Sequence, residues 1–157
     1  MYRRPPSSTL FPSPPLFRSA LRYRVIHVLS GVILLPGALI WVNETGSIVF
    51  VFIGLDAPGR WLIFLAFGIK AAFPLLHNWL TDAYPEATPT GTVFLSAFTT
   101  KLAVYALARG YPGTEILVYI GATMTMFPIF YAVIENDLRR VLSYSLINQV
   151  GFMVTGI

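Results

Sequence analysis

The sequence predicts an all-α membrane protein, a bundle of about five transmembrane helices of which the second is broken at Pro74. Hydrophobic residues make up 55% of the 157-residue chain and charged residues 11%, with a mean hydropathy of +0.68. Soluble domains carry about 25% charged residues. Five apolar segments, each close to the ~20 residues that cross a bilayer, alternate with turn signals and charges. Cysteine is absent, which excludes disulfides, thiolate metal sites and iron–sulfur clusters.

The first 20 residues, MYRRPPSSTLFPSPPLFRSA, are predicted to be disordered. They hold five of the twelve prolines and cannot form a continuous helix. A basic, acid-free leader is the alternative, but Pro-Pro pairs suit neither a targeting helix nor an apolar signal core. Five of the eleven basic residues lie in the first 24 positions, so the pI of about 9.6 reflects this end of the chain. We therefore expect no nucleic-acid partner.

The predicted membrane domain covers residues 21–157. In its first helix, residues 25–42, Pro36 and Gly37 predict a kink, and His27 at the basic end is interpreted as an interfacial residue rather than a ligand. The connector at residues 43–60 has a turn signal at Ala57-Pro58-Gly59. Its apolar part is too short to span and is expected at the interface or against the bundle. The remaining predicted helices are residues 61–80, 91–108, 114–134 and 141–157.

Lys70 and Lys101 are the only lysines, and each lies inside a predicted span. A lysine in hydrocarbon costs ~2.5–3.5 kcal/mol on insertion scales. From the middle of the second span, Lys70 cannot easily snorkel to the interface, which is the structural alternative to a functional role. Pro74 has no N–H to donate to the Lys70 carbonyl, so the helix is expected to bend or open beside the lysine. Freed carbonyls inside a membrane are tolerated only against protein or a water-filled cavity.

These two lysines predict proton or cation movement. Burial can lower the pKa of a lysine by up to ~3–5 units from about 10.4, whereas arginine stays charged. A buried lysine can therefore take up and release a proton at neutral pH. Two such groups in adjacent helices repel each other when both are charged. Our mechanistic hypothesis is that a proton arriving at one lysine expels a proton from the other.

Four other polar side chains are candidates for the same path. His77 follows Lys70 by two helical turns and is either a proton relay or a packing or capping residue, and the sequence does not decide between these. Thr100 directly precedes Lys101, and Tyr105 lies one turn beyond it. With Ala97 one turn before the lysine, the face that carries Lys101 and Tyr105 is small and polar enough for water or a neighbouring helix. Asn148 either extends this polar line or forms interhelical hydrogen bonds, and the second interpretation is favoured.

The arginines predict the orientation of the chain. Seven of them fall on the side of the N-terminus and two, Arg60 and Arg109, on the other. The positive-inside rule then places the N-terminus in the cytoplasm. On that side, Asp82 and Glu86 are interpreted as solvated acids rather than proton-uptake groups. Arg139 and Arg140 are interpreted as anchors of a helix end or as contacts to a neighbouring subunit.

The chain shows no nucleotide-binding loop, metal-ligand cluster or nucleophile triad, and no haem or flavin signature. We therefore expect no catalytic site, metal or cofactor in it.

Several motifs occur together: Lys70 in a proline-broken helix, the His77-Asn78-Trp79-Leu80 exit, a loop with Asp82, Pro85 and Ala87, Lys101 at a spacing of 31 residues, and NDLRRVLSYS leading into Gly151-Phe152. Over residues from about 22 to 157 the sequence closely resembles the proton-conducting transporter family. That family includes the antiporter-like subunits of respiratory complex I and the large subunits of Mrp-type cation/proton antiporters. The loop is most similar to that of the D-type antiporter component.

This resemblance implies that Lys70 holds a proton and Lys101 relays it along a hydrophilic axis at the membrane midplane, with Asn148 beside the path. Family members have more helices, so the chain resembles a fragment of one inverted repeat. The function it implies is proton translocation or monovalent cation/proton antiport, in the inner (plasma) membrane of a bacterium. The partners it implies are lipid, other subunits of a multisubunit membrane complex, protons, and sodium or potassium. The alternatives are an antiporter-like subunit of proton-translocating NADH:quinone oxidoreductase (complex I) and a non-conducting, truncated scaffold.

Overall fold

The computed structural model describes residues 14–157, and within this range the chain forms six helices and no strand. The helices are α1 (Pro14–Thr45), α2 (Pro58–Lys70), α3 (Asn78–Glu86), α4 (Pro89–Gly110), α5 (Glu115–Ile134) and α6 (Leu138–Thr155). The predicted all-α fold with a broken second helix is confirmed. Because the break divides the predicted helix at residues 61–80 into α2 and α3, the five predicted helices appear as six.

The first helix starts well before the predicted boundary at residue 25. α1 begins at Pro14, so residues 14–20 of the stretch predicted to be disordered are helical, and residues 1–13 lie outside the described part. Pro14 and Pro15 occupy the first turn, where the N–H groups have no helical partner and proline carries little cost. The helix also continues through Pro36 and Gly37, where the sequence predicted a kink.

Three helices of the described part are long and apolar enough to cross a membrane: Leu16–Thr45, Pro89–Gly110 and Glu115–Ile134. α1 packs along α2 and α3, and α5 packs along α6. The outer face of α1 exposes large apolar side chains, including Val28, Val32, Leu35 and Leu39. Such a face is suited to hydrocarbon, where lipid tails are as apolar as the side chains themselves.

Glycines allow close backbone contact at two helix crossings. Where α1 crosses α2, a Cβ added to Gly37 would lie 3.0 Å from the carbonyl oxygen of Gly59. Where α5 crosses α6, a Cβ added to Gly151 would lie 2.8 Å from the backbone nitrogen of Thr125, and one added to Gly121 would lie 2.6 Å from that of Thr155. Small residues at such positions let membrane helices approach at backbone distance.

The connector between α1 and α2, residues 46–57, packs against one end of the bundle. Ile53 is 2% exposed, and its N–H donates to the Gly110 carbonyl at the end of α4, at 2.7 Å. The Arg60 guanidinium donates to the Ile53 carbonyl at 2.9 Å, and the Tyr111 hydroxyl donates to the Arg60 carbonyl at 2.7 Å. Burial raises the pKa of Tyr111, so this hydroxyl remains a donor well into the alkaline range.

Candidate functional site

The break between α2 and α3, residues 71–77, gives the region around Pro74 an irregular backbone. α2 ends four residues before Pro74, and the chain turns twice through left-handed conformations, at Ala72 (φ 62°) and Leu75 (φ 71°). Each costs a non-glycine residue ~1–2 kcal/mol. The surrounding contacts must therefore hold this segment in place.

Two hydrogen bonds support the break. The Phe73 N–H donates to the Gly68 carbonyl at 3.0 Å, and the indole Nε1 of Trp79 donates to the Ile69 carbonyl at 3.1 Å. Trp79 is fully buried. Both accepting carbonyls lost their regular helical partners where α2 ends, and the Ile69 carbonyl also accepts from the Ala72 N–H at 3.3 Å.

Lys70 is the last residue of α2. The C-terminal end of a helix carries partial negative charge and favours a cation. The side chain is half-buried and takes part in none of the three ion pairs of the described residues. The carbonyl of Lys70 accepts no hydrogen bond within residues 14–157. Within the described residues, Lys70 therefore has both a side-chain ammonium without an ion-pair partner and a main-chain carbonyl without a hydrogen bond.

Lys101 also lies beside irregular backbone. Residues Leu95–Thr99 of α4 are π-helical, and Lys101 is the second residue of the regular helix that follows. π-helical turns inside α-helices frequently mark functional sites. Lys101 is half-buried and is absent from the same three ion pairs. α2 packs against this second half of α4, so the two lysine-bearing helices are neighbours.

His27 lies inside the bundle, next to the break. Its ring stacks on Tyr23 with centroids 4.0 Å apart and meets Trp79 edge-on at 4.6 Å. The sequence placed His27 at the membrane interface and did not include it among the candidate relay residues. Tyr23 four residues before His27 could have predicted the stacking, but no local signal brings Trp79 to His27.

His77 is the last residue of the break and packs against α5. Its ring lies 4.6 Å from that of Phe127, and its Nδ1 is buried without a hydrogen-bond partner in the described part of the chain. The side chain makes no capping hydrogen bond to α3. Of the interpretations drawn from the sequence, a relay and a packing residue therefore both stay open.

The three candidate path-lining residues lie in different surroundings. Thr100 is fully buried, with its hydroxyl directed at the Ser96 carbonyl across the π-helical turn, at 3.5 Å. Tyr105 is 60% exposed, and its hydroxyl accepts from Arg109 at 3.3 Å. Asn148 donates from α6 to the Thr125 carbonyl of α5 at 2.6 Å, which is the interhelical hydrogen bond favoured from the sequence. Each of the three bonds a different partner, and Asn148 lies on a different helix from Thr100 and Tyr105.

The charged residues at the α3 end of the bundle pair within the chain. Asp82 is partly buried and accepts from Arg22 of α1, so it is not a freely solvated acid. Arg139 of α6 donates to the carbonyls of Pro85 and Ala87, at 2.7 and 3.2 Å, at the C-terminal end of α3. Arginine at this position compensates unpaired carbonyls and the negative end of the helix dipole. Arg139 therefore anchors α3 inside this chain.

Comparison with known proteins assigns this arrangement to a family. The family model described as NADH:quinone oxidoreductase/Mrp antiporter, transmembrane, matches residues 12–157. The chain is 30% identical over 160 residues to the NADH-quinone oxidoreductase subunit N of Desulforudis audaxviator, which covers 88% of this chain and 32% of the relative. It is 31% identical over 160 residues to the D component of the Na(+)/H(+) antiporter of Alkalihalophilus pseudofirmus, covering 89% and 32%.

A solved structure agrees. The Mrp complex from Dietzia sp. contains a chain that matches with a TM-score of 0.81 at 26% identity, over 89% of this chain and 29% of that one. The chain thus spans about a third of the length of the curated relatives it matches. On the family match and these identities, it belongs to the NADH:quinone oxidoreductase/Mrp antiporter transmembrane family.

Proposed function

We propose that the chain forms part of a membrane subunit for proton translocation or monovalent cation/proton antiport, in which Lys70 and Lys101 are the protonatable sites. The observation that carries the proposal is the position of the two lysines. Each lies beside irregular backbone, one at the break after α2 and one after the π-helical turn of α4. These are the only two lysines of the sequence.

The chemistry of lysine supports this role. An ammonium in a membrane segment is costly unless it meets water, a counter-charge or backbone oxygen, and such residues mark ion pathways. Lys70 has the negative end of α2 and its own unpaired carbonyl close by. Because lysine can lose its proton when it is desolvated and arginine cannot, Lys70 and Lys101 can change charge during a transport cycle. In the proposed mechanism, a proton that arrives at one lysine favours the release of a second proton from the other lysine.

Everted membrane vesicles provide the test. We expect Lys70→Ala or Lys101→Ala to reduce cation-dependent dissipation of a preformed ΔpH by at least about tenfold, a modest loss for removal of a proton-transferring group. Arg140→Ala is the matched control, because Arg140 is an exposed basic residue that pairs only with Glu135, at 3.7 Å, away from the two lysines in the sequence. If both lysine variants transport as well as the unsubstituted protein, the chain is a non-conducting scaffold and the proposal fails.

The second candidate function is an antiporter-like subunit of a proton-translocating NADH:quinone oxidoreductase. The 30% identity to an NADH-quinone oxidoreductase subunit N favours it. Two measurements separate it from the antiporter. Neighbouring genes for peripheral redox subunits, and proton pumping driven by NADH in the vesicles, would support the oxidoreductase. Neighbouring genes for small Mrp-type subunits, and ΔpH dissipation by sodium or potassium, would support the antiporter.

The proposed setting is a multisubunit complex in a bacterial inner membrane, with the N-terminus in the cytoplasm. Since the chain has no cysteine, single cysteines can report the orientation. Ser47→Cys lies in the connector and Asn136→Cys in the loop between α5 and α6. In intact cells, an impermeant maleimide should label the first and not the second. If only Asn136→Cys is labelled, the N-terminus lies outside the cytoplasm and the proposed orientation is wrong.

A further inference from the structure

α1 is longer than a membrane span requires. Its 32 residues extend ~48 Å at ~1.5 Å per residue, whereas the hydrocarbon core of a bilayer is ~30 Å thick. No aspartate, glutamate, lysine or arginine lies between Arg24 and Glu44, and this uncharged stretch is itself ~28 Å long. It therefore fills the hydrocarbon core. Arg24 then lies at the level of the lipid headgroups, and the part of α1 before it extends past them.

A groove opens at this level between α1, α3 and α4. It has a volume of about 520 Å³, which is within the ~300–1,000 Å³ of small-molecule sites. Its apolar lining includes Ala20, Val28 and Leu95. Two exposed charged side chains also line it, Arg24 from α1 and Glu86 from α3. An apolar wall with one positive and one negative charge at its edge suits an amphiphilic ligand that carries both charges.

The two charges of the groove do not neutralise each other. The ion pairs of the described residues are Arg22–Asp82, Arg60–Asp56 and Arg140–Glu135. None of them joins Arg24 to Glu86, and the first ties α1 to α3 beside the groove. Glu86 is the last residue of α3, where the negative end of the helix dipole disfavours a carboxylate. A cation bound at Glu86 would therefore be stabilised by both the side chain and the helix end.

We propose that this groove binds a membrane phospholipid whose headgroup carries a phosphate and a primary ammonium, as in phosphatidylethanolamine. The Arg24 guanidinium donates to the phosphate, for which its planar set of donors is suited. The Glu86 carboxylate accepts from the ammonium. The apolar wall covers the start of an acyl chain, which continues into the bilayer past Val28, an exposed residue one turn deeper than Arg24. This site does not rest on the proposed function.

The same chemistry discriminates between headgroups. Phosphatidylglycerol has the phosphate but no cation, so it leaves the Glu86 carboxylate beside a second negative charge. The quaternary ammonium of phosphatidylcholine has no N–H group and cannot donate a hydrogen bond to a carboxylate. Only the ethanolamine headgroup among these three offers a hydrogen-bonding partner to each of the two side chains.

Native mass spectrometry of the full chain, released from micelles that contain equal amounts of the three lipids, tests the site. We expect phosphatidylethanolamine to be retained about three- to tenfold more than either other lipid, the size of one partly exposed charge pair or charge-assisted hydrogen bond. Glu86→Gln should abolish this preference. Arg24→Gln should reduce the retention of all three lipids, because each has a phosphate.

Arg18→Gln is the matched control for these variants. Arg18 is an exposed basic residue of α1 outside the lining of the groove, so its substitution should leave retention unchanged. Equal retention of the three lipids by the unsubstituted chain, or a preference that survives Glu86→Gln, would overturn the proposal. So would an equal loss in Arg18→Gln and Arg24→Gln, since retention would then depend on surface charge in general.

A cross-linker identifies the occupant of the groove in membranes. Ala20 lines the groove and is exposed, and the chain has no cysteine, so Ala20→Cys can carry a single benzophenone. We expect it to cross-link phosphatidylethanolamine in excess over the bulk lipid composition. Leu21→Cys, at a 51% exposed position outside the lining, should cross-link lipids in bulk proportions. A product from Ala20→Cys with the mass of an added protein, including a second copy of this chain, would show a protein in the groove and refute the lipid site.

Discussion

The crossing of α5 and α6 predicts a clear effect of adding one methyl group. In Gly151→Ala, the new Cβ would lie 2.8 Å from the Thr125 backbone nitrogen and 2.9 Å from backbone and side-chain carbons of Met124. Ordinary contact begins at 3.4 Å, so the helices must separate by about 0.6 Å at this point. Both partners are helix backbone and cannot rotate away. Overpacking of this kind costs ~1–3 kcal/mol, offset by ~0.5–1 kcal/mol because alanine is a better helix former than glycine.

We therefore expect Gly151→Ala to lower the free energy of unfolding by about 1–2 kcal/mol. Gly31→Ala on α1 is the matched control, since a Cβ there meets nothing within 4 Å, and it should raise stability by about 0.5–1 kcal/mol. Reversible unfolding in mixed detergent micelles, followed by circular dichroism, measures both. The reasoning would be refuted if Gly151→Ala gained stability as Gly31→Ala does, because the backbone contact between α5 and α6 would then be absent.

Three further predictions concern hydrogen bonds that tie elements together. Trp79→Phe removes the hydrogen bond to the Ile69 carbonyl and leaves a void, so we expect the free energy of unfolding to fall by about 1–3 kcal/mol in the same assay. An unchanged free energy of unfolding would contradict the supporting role of the indole. Tyr111→Phe should cost about 1 kcal/mol at pH 7. Burial raises the pKa of Tyr111. The unsubstituted protein should therefore keep its full stability advantage over Tyr111→Phe below about pH 10 and lose it as the pH rises through the raised pKa. An advantage that increased with pH would contradict this prediction. Arg139→Met should expose the C-terminal end of α3 to faster amide exchange, whereas Arg140→Met, which removes a 3.7 Å surface ion pair, should have little effect; equal effects would argue against the anchoring role of Arg139.

Sequence reasoning found the break in the second helix because proline has a local, covalent effect. Pro74 cannot donate a hydrogen bond to the Lys70 carbonyl, and the helix does end at Lys70. The extent of the break was not predictable. Ala72 and Leu75 adopt left-handed conformations, which neither residue type favours. The segment that contains them is bridged by the hydrogen bond from Trp79 to the Ile69 carbonyl, ten positions apart, and no local pattern encodes such a contact.

The candidate site was found only in part, for a similar reason. The two lysines stand out because a charged residue in an apolar segment is rare. His27 does not stand out, since it lies beside arginines at the start of an apolar run. Its position depends on Trp79, about fifty residues further along the chain, and so on tertiary structure. The π-helical turn before Lys101 likewise has no sequence signal.

The contacts at the connector end of the bundle have a mechanical consequence. Ile53 and Gly54 both bond the last carbonyl of α4, while Arg60 at the start of α2 holds Ile53 and receives Tyr111. α2 and α4 are thus clamped to each other at one end, and each has its irregular segment further along. A rearrangement that alters the distance between Lys70 and Lys101 should therefore rotate α2 relative to α4 about their hydrogen-bonded ends. The displacement of the backbone should be largest at the helix break and smallest at Arg60 and Gly110.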